Sequence, residues 1–241
     1  MILKSIEHKA LKNQKQLAVL IDPDKGNKEH LAKIVTIANE TKVDLFFIGG
    51  SLMVGDEMEE TIRTIKSLSN IPVVLFPGSP SQVCSLADGI LLLSLISGRN
   101  ADLLIGQQII AAPTIKKSKL EVLPTGYLLI DGGRPTTASY ISGTQPIPAN
   151  KPEIAAVTAM TGEMMGLKIM YADAGSGADN PISNKTISAI KKATNCPLII
   201  GGGMKSATDV ENAFKAGADI AVIGNAFENN PDLLFEIAKT R

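Results

Sequence analysis

The sequence predicts an α/β fold, a (β/α)8 TIM barrel with a reduced or missing third helix. Three observations support it. Short apolar runs, continuous rather than alternating, recur between amphipathic segments along 241 residues, as expected of parallel strands buried on both faces. Three consecutive late runs end in glycine-rich turns: Tyr171-Ala172-Asp173-Ala174-Gly175-Ser176-Gly177-Ala178, then Gly201-Gly202-Gly203, then Gly224-Asn225. One connector, after the third run, is too short for a crossover helix. A strand that passes through glycine into a helix exposes backbone N–H groups suited to phosphate, and three such ends would converge on one anion at the mouth of a barrel. Gly-Ser-Gly alone also fits a plain surface turn, so the repetition carries the weight.

The elements follow in order. Leu17 to Ile21 reads as the first strand, ending in Asp22-Pro23-Asp24-Lys25, and Leu31, Ile34, Val35 and Ala38 give the first helix its apolar face. Val43 to Ile48 is the second strand, ending in Gly49-Gly50-Ser51. Asp56 and Glu59 resemble a helix start, with Met58, Ile62, Ile65 and Leu68 as the buried stripe. Pro72 to Phe76 is the third strand. Only Ser79 to Ala87 separates it from the fourth, Ile90 to Leu95, where a full crossover requires about a dozen residues. The barrel wall is therefore expected to be thin on that side. Asn100 suits the cap of a helix running to about Lys117, kinked at Pro113. Tyr127 to Ile130 is strand five, followed by a Thr-, Ser-, Gly- and Pro-rich segment to Asn150 with no clear period, a length that usually marks a functional loop. Pro152 opens helix five. Leu167 to Met170 reads as strand six, and Ser183 begins an amphipathic segment presenting Ile187 and Ile190. Pro197 to Ile200 is strand seven, before a helix capped by Ser206 with Val210, Ala213 and Phe214 inward. Asp219 to Ile223 is strand eight, and Pro231 starts a last helix with Leu234, Ile237 and Ala238. Eight strands alternate with seven helices and one stub, so residues 1–241 form one expected domain, close to the roughly 250 residues typical of such barrels.

Composition narrows the partners. Lys and Arg number 24 and Asp and Glu 24, so no basic footprint points to nucleic acid. Cys84 and Cys196 lack metal-ligand spacing and read as buried thiols of a reducing compartment. The N-terminus has no signal-peptide character, and the longest apolar run, Gly89 to Ile96, is far short of the roughly 20 residues of a membrane span. The expected localisation is cytoplasmic.

Chemistry in such barrels sits at the C-terminal strand ends. Those ends carry Asp22, Asp24 and Lys25; Ser51; Arg99; Asp131 and Arg134; Tyr171 and Asp173; then the glycines. His8 and His30 fall elsewhere, and neither cysteine ends a strand, which removes support for imidazole or thiol chemistry. Carboxylates, hydroxyls, arginines and glycine amides suit Mg²⁺ with phosphates, because hard oxygen donors hold Mg²⁺ and it keeps substrate phosphates in its shell.

These residues carry a resemblance. Asp22-Pro-Asp-Lys25, Gly49-Gly-Ser51, Asp131-Gly-Gly-Arg-Pro-Thr136, Tyr171-x-Asp-Ala-Gly-Ser-Gly177, Gly201-Gly-Gly203 and Gly224-Asn225 resemble the geranylgeranylglyceryl phosphate synthases, prenyltransferases on a barrel lacking a normal third helix. The resemblance spans essentially the whole chain. It implies transfer of a geranylgeranyl group from its diphosphate to the 3-hydroxyl of sn-glycerol 1-phosphate, with release of pyrophosphate. It implies that Asp22 and Ser51 bind Mg²⁺, and that the glycerol phosphate lies on Tyr171, Ala172, Asp173, Ala174, Gly175, Ser176 and Gly177, on Gly202 and Gly203, and on Gly224 and Asn225. Asp173 stands where Glu is usual in the family, one methylene shorter. With Tyr171 it is the catalytic candidate, since an allylic cation calls for a neighbouring carboxylate. Lys25, Arg99 and Arg134 are candidates for the diphosphate, a salt bridge at the rim being the alternative for the arginines. The prenyl tail would leave through the thinned wall along the helix after strand four, where Leu104 and Ala111 lie seven residues apart and share a face. The expected partners are therefore glycerol 1-phosphate and a polyprenyl diphosphate, with homo-oligomerisation and transient membrane contact for product release. A longer prenyl donor, as in a heptaprenylglyceryl phosphate synthase, a phosphate-binding isomerase barrel, a flavin oxidoreductase and a non-catalytic scaffold stay open at this point.

Overall fold

A computed structural model describes residues 1–25, 27–224, 230 and 232–241. Eight parallel strands close into a barrel in sequence order: β1 (Gln16–Ile21), β2 (Leu45–Ile48), β3 (Val73–Leu75), β4 (Gly89–Leu95), β5 (Glu121–Leu129), β6 (Ile169–Asp173), β7 (Leu198–Gly201) and β8 (Ile220–Ile223). β8 pairs with β1 and completes the ring. The helices are α1 (Ile2–Leu11), α2 (Lys28–Glu40), α3 (Met58–Leu68), α4 (Gln107–Ser118), α5 (Thr137–Ser142), α6 (Pro152–Met164), α7 (Asn184–Ala193), α8 (Ala207–Ala216) and α9 (Leu233–Ile237). No helix among the described residues is long and apolar enough to cross a membrane.

Strand alternation makes two apolar layers. Ala18, Phe47, Val74, Leu91, Leu129 and Val222 pack inside the barrel. Val19, Phe46, Val73, Ile90, Leu128 and Ala172 pack between the barrel and its helices. At the N-terminal end α1 closes the barrel, with Ile6 buried among the interior residues. The Ile2 and Leu3 amides donate to the Glu121 carboxylate at 2.6 and 2.9 Å, which satisfies N–H groups that a helix start leaves unpaired. The sequence reading has no helix before strand one, although Ile2, Ile6 and Ala10 recur at helical spacing.

Between β3 and β4 the chain makes only a 3₁₀ turn, Pro80–Gln82, so the third helix is absent as expected. Buried Gln82 holds that side together. Its amide donates to the Gly50 carbonyl at 3.0 Å and its Oε1 accepts from Gly78 N–H at 2.9 Å.

Several expected boundaries shift. β5 begins at Glu121, not Tyr127, and pairs with β4 from Gly89↔Glu121 to Leu95↔Tyr127. Pro124 is tolerated there because it precedes the β6 ladder, which starts at Thr125, so its missing N–H costs no ladder bond, while its carbonyl accepts from Lys168 N–H at 2.9 Å. β6 runs on through Tyr171 to Asp173, which places two motif residues in the strand rather than in the turn. α3 starts at Met58 with Glu57 as cap, in place of an Asp56 start, and Leu68 is exposed. The 131–150 segment contains α5, closed by a reciprocal cap between Thr136 and Ser139, and Ile147 bridges to Ile130. Helices α6, α7 and α8 start at Pro152 or beside Ser183 and Ser206 as read, and both cysteines are buried free thiols. Pro231, the expected first residue of the last helix, lies outside the described residues.

Candidate active site

A cavity of about 810 Å³ opens at the C-terminal strand ends, within the range of small-molecule sites. It has a polar end and an apolar end. An aromatic group lies between them: Tyr171 stacks on Phe76 with ring centroids 5.1 Å apart and meets Tyr127 edge-on at 5.4 Å, with Phe47 at 6.4 Å.

The polar end is built on β6 and β7. Alternation turns Tyr171 and Asp173 into the cavity and sends Ala172 outward. Asp173 is 7% exposed, and both its oxygens are engaged. Oδ1 accepts from Gly175 N–H at 2.7 Å, and Oδ2 accepts from the Tyr127 hydroxyl at 2.7 Å. Burial pushes the Asp173 carboxyl above the ordinary carboxylate value, opposed by the Tyr127 and Gly175 hydrogen bonds. Burial, reinforced by the Asp173 charge, holds both Tyr127 and Tyr171 well above the ordinary phenol value, so both stay protonated.

The turns after β6 and β7 interlock over this carboxylate. A Cβ on Gly202 would lie 2.6 Å from Asp173 Oδ1 and 2.6 Å from the Gly175 nitrogen, at φ +78°. Only glycine fits so close an approach with that backbone. Gly175, Gly177 and Gly203 also take positive φ, and Ser176, Gly177, Gly202, Gly203 and Gly224 reach the cavity. Successive amides in turns of this kind make an anion-binding concavity. Glycines from three strand ends thus line one cup in the cavity wall.

Asp22, Lys25 and Ser51 line the cavity from β1 and β2. The Lys25 ammonium is 3.3 Å from Asp22 Oδ2, and the Asp22 carboxylate lies 3.7 Å from where a Cβ of Gly50 would stand, one residue from Ser51. Asp24 instead anchors the loop after β2, accepting from Val54 N–H at 2.6 Å. Among the described residues no three or more His, Cys, Asp or Glu side chains gather as a metal cluster. The Asp22 carboxylate and the Ser51 hydroxyl are hard oxygen donors on the cavity wall.

The apolar end passes through the thin wall. Leu91, Leu93 and Leu95 on the inner face of β4 line it, and so do Ile90 and Leu92 on the outer face. The cavity thus spills over β4 into the gap between the Pro80–Gln82 turn and α4. Ala111 and, one turn on, Ile115 form the α4 side.

The structure separates some expected partners. The Arg99 guanidinium turns back onto the carbonyls of Gly98 and Ser97, at 3.0 and 3.4 Å, and does not line the cavity. Arg134 does not line the cavity either, but stands beside the turn after β6: Nη1 is 3.6 Å from Asp179 and Nη2 is 3.7 Å from the Cβ position of Gly177. Ala172 and Ala174 pack into the outer layer, leaving only their backbones to serve the cup. Leu104 is off the groove face, and Leu103 takes its place. The reason is a π-helical turn, Asp102–Gly106, which inserts a residue relative to α-helical spacing and rotates the face. Asn225 lies outside the described residues. The sequence reading missed Tyr127, whose hydroxyl donates to Asp173 at 2.7 Å. The available signal was its register: Tyr127 sits opposite Tyr171 in the β5–β6 ladder, and two residues from inward Leu129.

Known proteins resemble this chain in sequence and fold. The chain is 53% identical over 228 residues to a geranylgeranylglyceryl phosphate synthase of Spirosoma linguale, covering 95% of this chain and 92% of the relative. It is 38% identical to one of Pyrococcus furiosus, covering 92% and 88%. A solved (S)-3-O-geranylgeranylglyceryl phosphate synthase of Thermoplasma acidophilum, in complex with its substrate sn-glycerol-1-phosphate, superposes with a TM-score of 0.93 at 28% identity, covering 100% of this chain and 98% of that one. The PcrB family model matches residues 9–241, and with these relatives it establishes that the chain belongs to the PcrB family.

Proposed function

We propose that this chain transfers a geranylgeranyl group from geranylgeranyl diphosphate to the 3-hydroxyl of sn-glycerol 1-phosphate, forming an ether and releasing pyrophosphate. The observation that carries this reading is the two-ended cavity, with the glycine cup and buried Asp173 at one end and an apolar groove through the β3–β4 gap at the other. A small sugar-phosphate isomerase has no use for such a groove. The relative solved with sn-glycerol-1-phosphate supports that compound as the acceptor.

The residues divide the work. The cup amides and Arg134 hold the phosphate and present the acceptor hydroxyl toward Asp173, so that alignment supplies much of the rate. The allylic C–O bond breaks with its electron pair leaving on pyrophosphate, the acceptor oxygen bonds to the freed carbon, and Asp173 takes the hydroxyl proton. The faces of Tyr171 and Phe76 favour the developing cation and keep water out. Asp22 and Ser51 would hold Mg²⁺. One carboxylate and one hydroxyl fit a cation that takes its remaining ligands from a diphosphate and water. When bound, Mg²⁺ supplies charge stabilisation to the leaving pyrophosphate. Lys25, paired to Asp22, adds charge at the same end.

A longer prenyl donor is the second reading, favoured by the small Ala111 and by the groove continuing to Ile115. Association of like chains belongs to the same proposal, supported by Val157, Met160 and Met164, which α6 leaves exposed. Labelled glycerol 1-phosphate incubated with prenyl diphosphates of graded length, with and without EDTA, tests these points. Chloroform-soluble ether product that disappears with EDTA is expected. An enzyme inert with every donor overturns the reading.

A further inference from the structure

We propose that Tyr127 is a positioning residue of the transfer reaction, its hydroxyl fixing the Asp173 carboxylate toward the cup. The inference rests on the proposed reaction and goes beyond it by assigning a residue outside all the motifs that carry the family resemblance.

The geometry is specific. Asp173 has the shorter of the two carboxylate side chains and sits at the end of β6, where its Oδ1 is tied to the turn by Gly175 N–H. That single bond leaves the other oxygen free to swing. The Tyr127 hydroxyl, 2.7 Å from Oδ2, removes that freedom. The two bonds occupy two of about four lone-pair sites on the carboxylate, and the remaining sites are left for an acceptor hydroxyl. The Tyr127 ring is itself fixed, edge-on to Phe76 at 5.9 Å and to Tyr171 at 5.4 Å. β5 and β6 hold Tyr127 directly opposite Tyr171. The short carboxylate arm is thus met by a rigid donor from the neighbouring strand.

The surroundings leave Tyr127 a clear role. Around Asp173, β5 contributes Tyr127, β6 itself contributes Tyr171, and β7 faces it with Gly201 and Gly202, which carry no charge. Among the described residues the other charged groups lining the cavity are Asp22, Lys25 and Lys205. Burial disfavours the Asp173 anion, and the phenol hydrogen bond opposes that effect. Removing the hydroxyl releases the carboxylate and favours its protonated form. Activity that needs the anion would then fail at a higher pH.

Tyr127→Phe keeps the ring and removes only the donor. The acid limb of its kcat profile is expected to move upward by about one pH unit, the effect of losing one hydrogen bond to a charged group, with part of the lost rate recovered at high pH. NMR titration of the enzyme labelled with ¹³C-aspartate, with the Asp173 signal assigned by its loss in Asp173→Asn, is expected to show the same upward shift. 3-Fluorotyrosine at position 127 retains the hydroxyl and should restore the wild-type profile. An acid limb and an Asp173 titration both unchanged in Tyr127→Phe overturn the proposal, whatever the change in rate. A shifted titration in an enzyme that transfers no prenyl group supports the hold on Asp173 and sinks the reaction instead.

Discussion

A Gly202→Ala substitution adds one methyl group where two neighbouring strand ends already meet. The new carbon would lie 2.6 Å from both Asp173 Oδ1 and the Gly175 nitrogen, and 2.8 Å from the Ala174 nitrogen. The residue would also stay at φ +78°, where a side chain costs about 1–2 kcal/mol. Two of the three crowded atoms are backbone, so the turn after β6 must move and its amides leave the position that serves an anion. Losing one hydrogen bond to a charged group costs about 1.5–3 kcal/mol, or roughly ten- to hundredfold in affinity. The KM for glycerol 1-phosphate is therefore expected to rise by that factor, with little change in KM for the prenyl diphosphate. Tm should fall by several degrees, at about 2–4 °C per kcal/mol for a chain of this size. Gly166→Ala is the control. Its φ of +93° carries a similar backbone cost, but nothing lies within 4 Å of its Cβ and it does not line the cavity, so KM should change by less than about threefold. Steady-state kinetics in both substrates, with thermal melts, decide the matter. Equal losses for both substrates in Gly202→Ala, or equal effects of the two variants, would refute the interlocked cup.

The remaining expectations follow from the same geometry. Asp22→Asn keeps the shape but removes the charge beside Ser51, so turnover should fall at least a hundredfold, about 2.7 kcal/mol, with Tm nearly unchanged; near-normal turnover at ordinary Mg²⁺ rejects the metal assignment. Arg134→Ala should raise the KM for glycerol 1-phosphate several-fold, while Arg99→Ala, whose guanidinium is tied to its own loop, should leave both KM values alone; the reverse order would displace Arg134 from the cup. Ala111→Trp should shift preference toward shorter prenyl diphosphates by filling the groove. If Ala111 only packs α4 on the barrel, the variant instead loses stability, about 1–3 kcal/mol, and activity falls on every chain length alike.

How much of this was legible before folding depends on the range of the interaction concerned. Strand existence and order were readable because a strand covered on both faces must be continuously apolar, as Val19, Phe46 and Ile200 illustrate. The missing third helix was readable because the length from Ser79 to Ala87 sets a hard limit on what can cross the sheet. Caps at Ser183 and Ser206 and the first-turn Pro152 were readable because capping is settled within a few residues. The glycine turns were readable as turns, and their convergence followed once a closed barrel was inferred.

What the linear chain left open was decided by contacts between strands. Tyr127 looks like an apolar strand residue until the parallel register sets it opposite Tyr171 and its hydroxyl meets Asp173, 46 residues away. Arg99 and Arg134 both follow strands, yet only the folded loops turn one onto its own carbonyls and the other toward Gly177. Leu104 shares a face with Ala111 on an ideal helix, and the π-helical turn at Asp102–Gly106 breaks that count. Ala172 and Ala174 belong to the motif as letters, but the pleat sends their side chains away from the cavity. The sequence determined the barrel, its gap and its glycine cup because chain length, apolar continuity and backbone permissiveness are local properties. The tertiary structure decided which side chains meet, because register, pleat direction and helical phase are fixed only when the ring of strands closes.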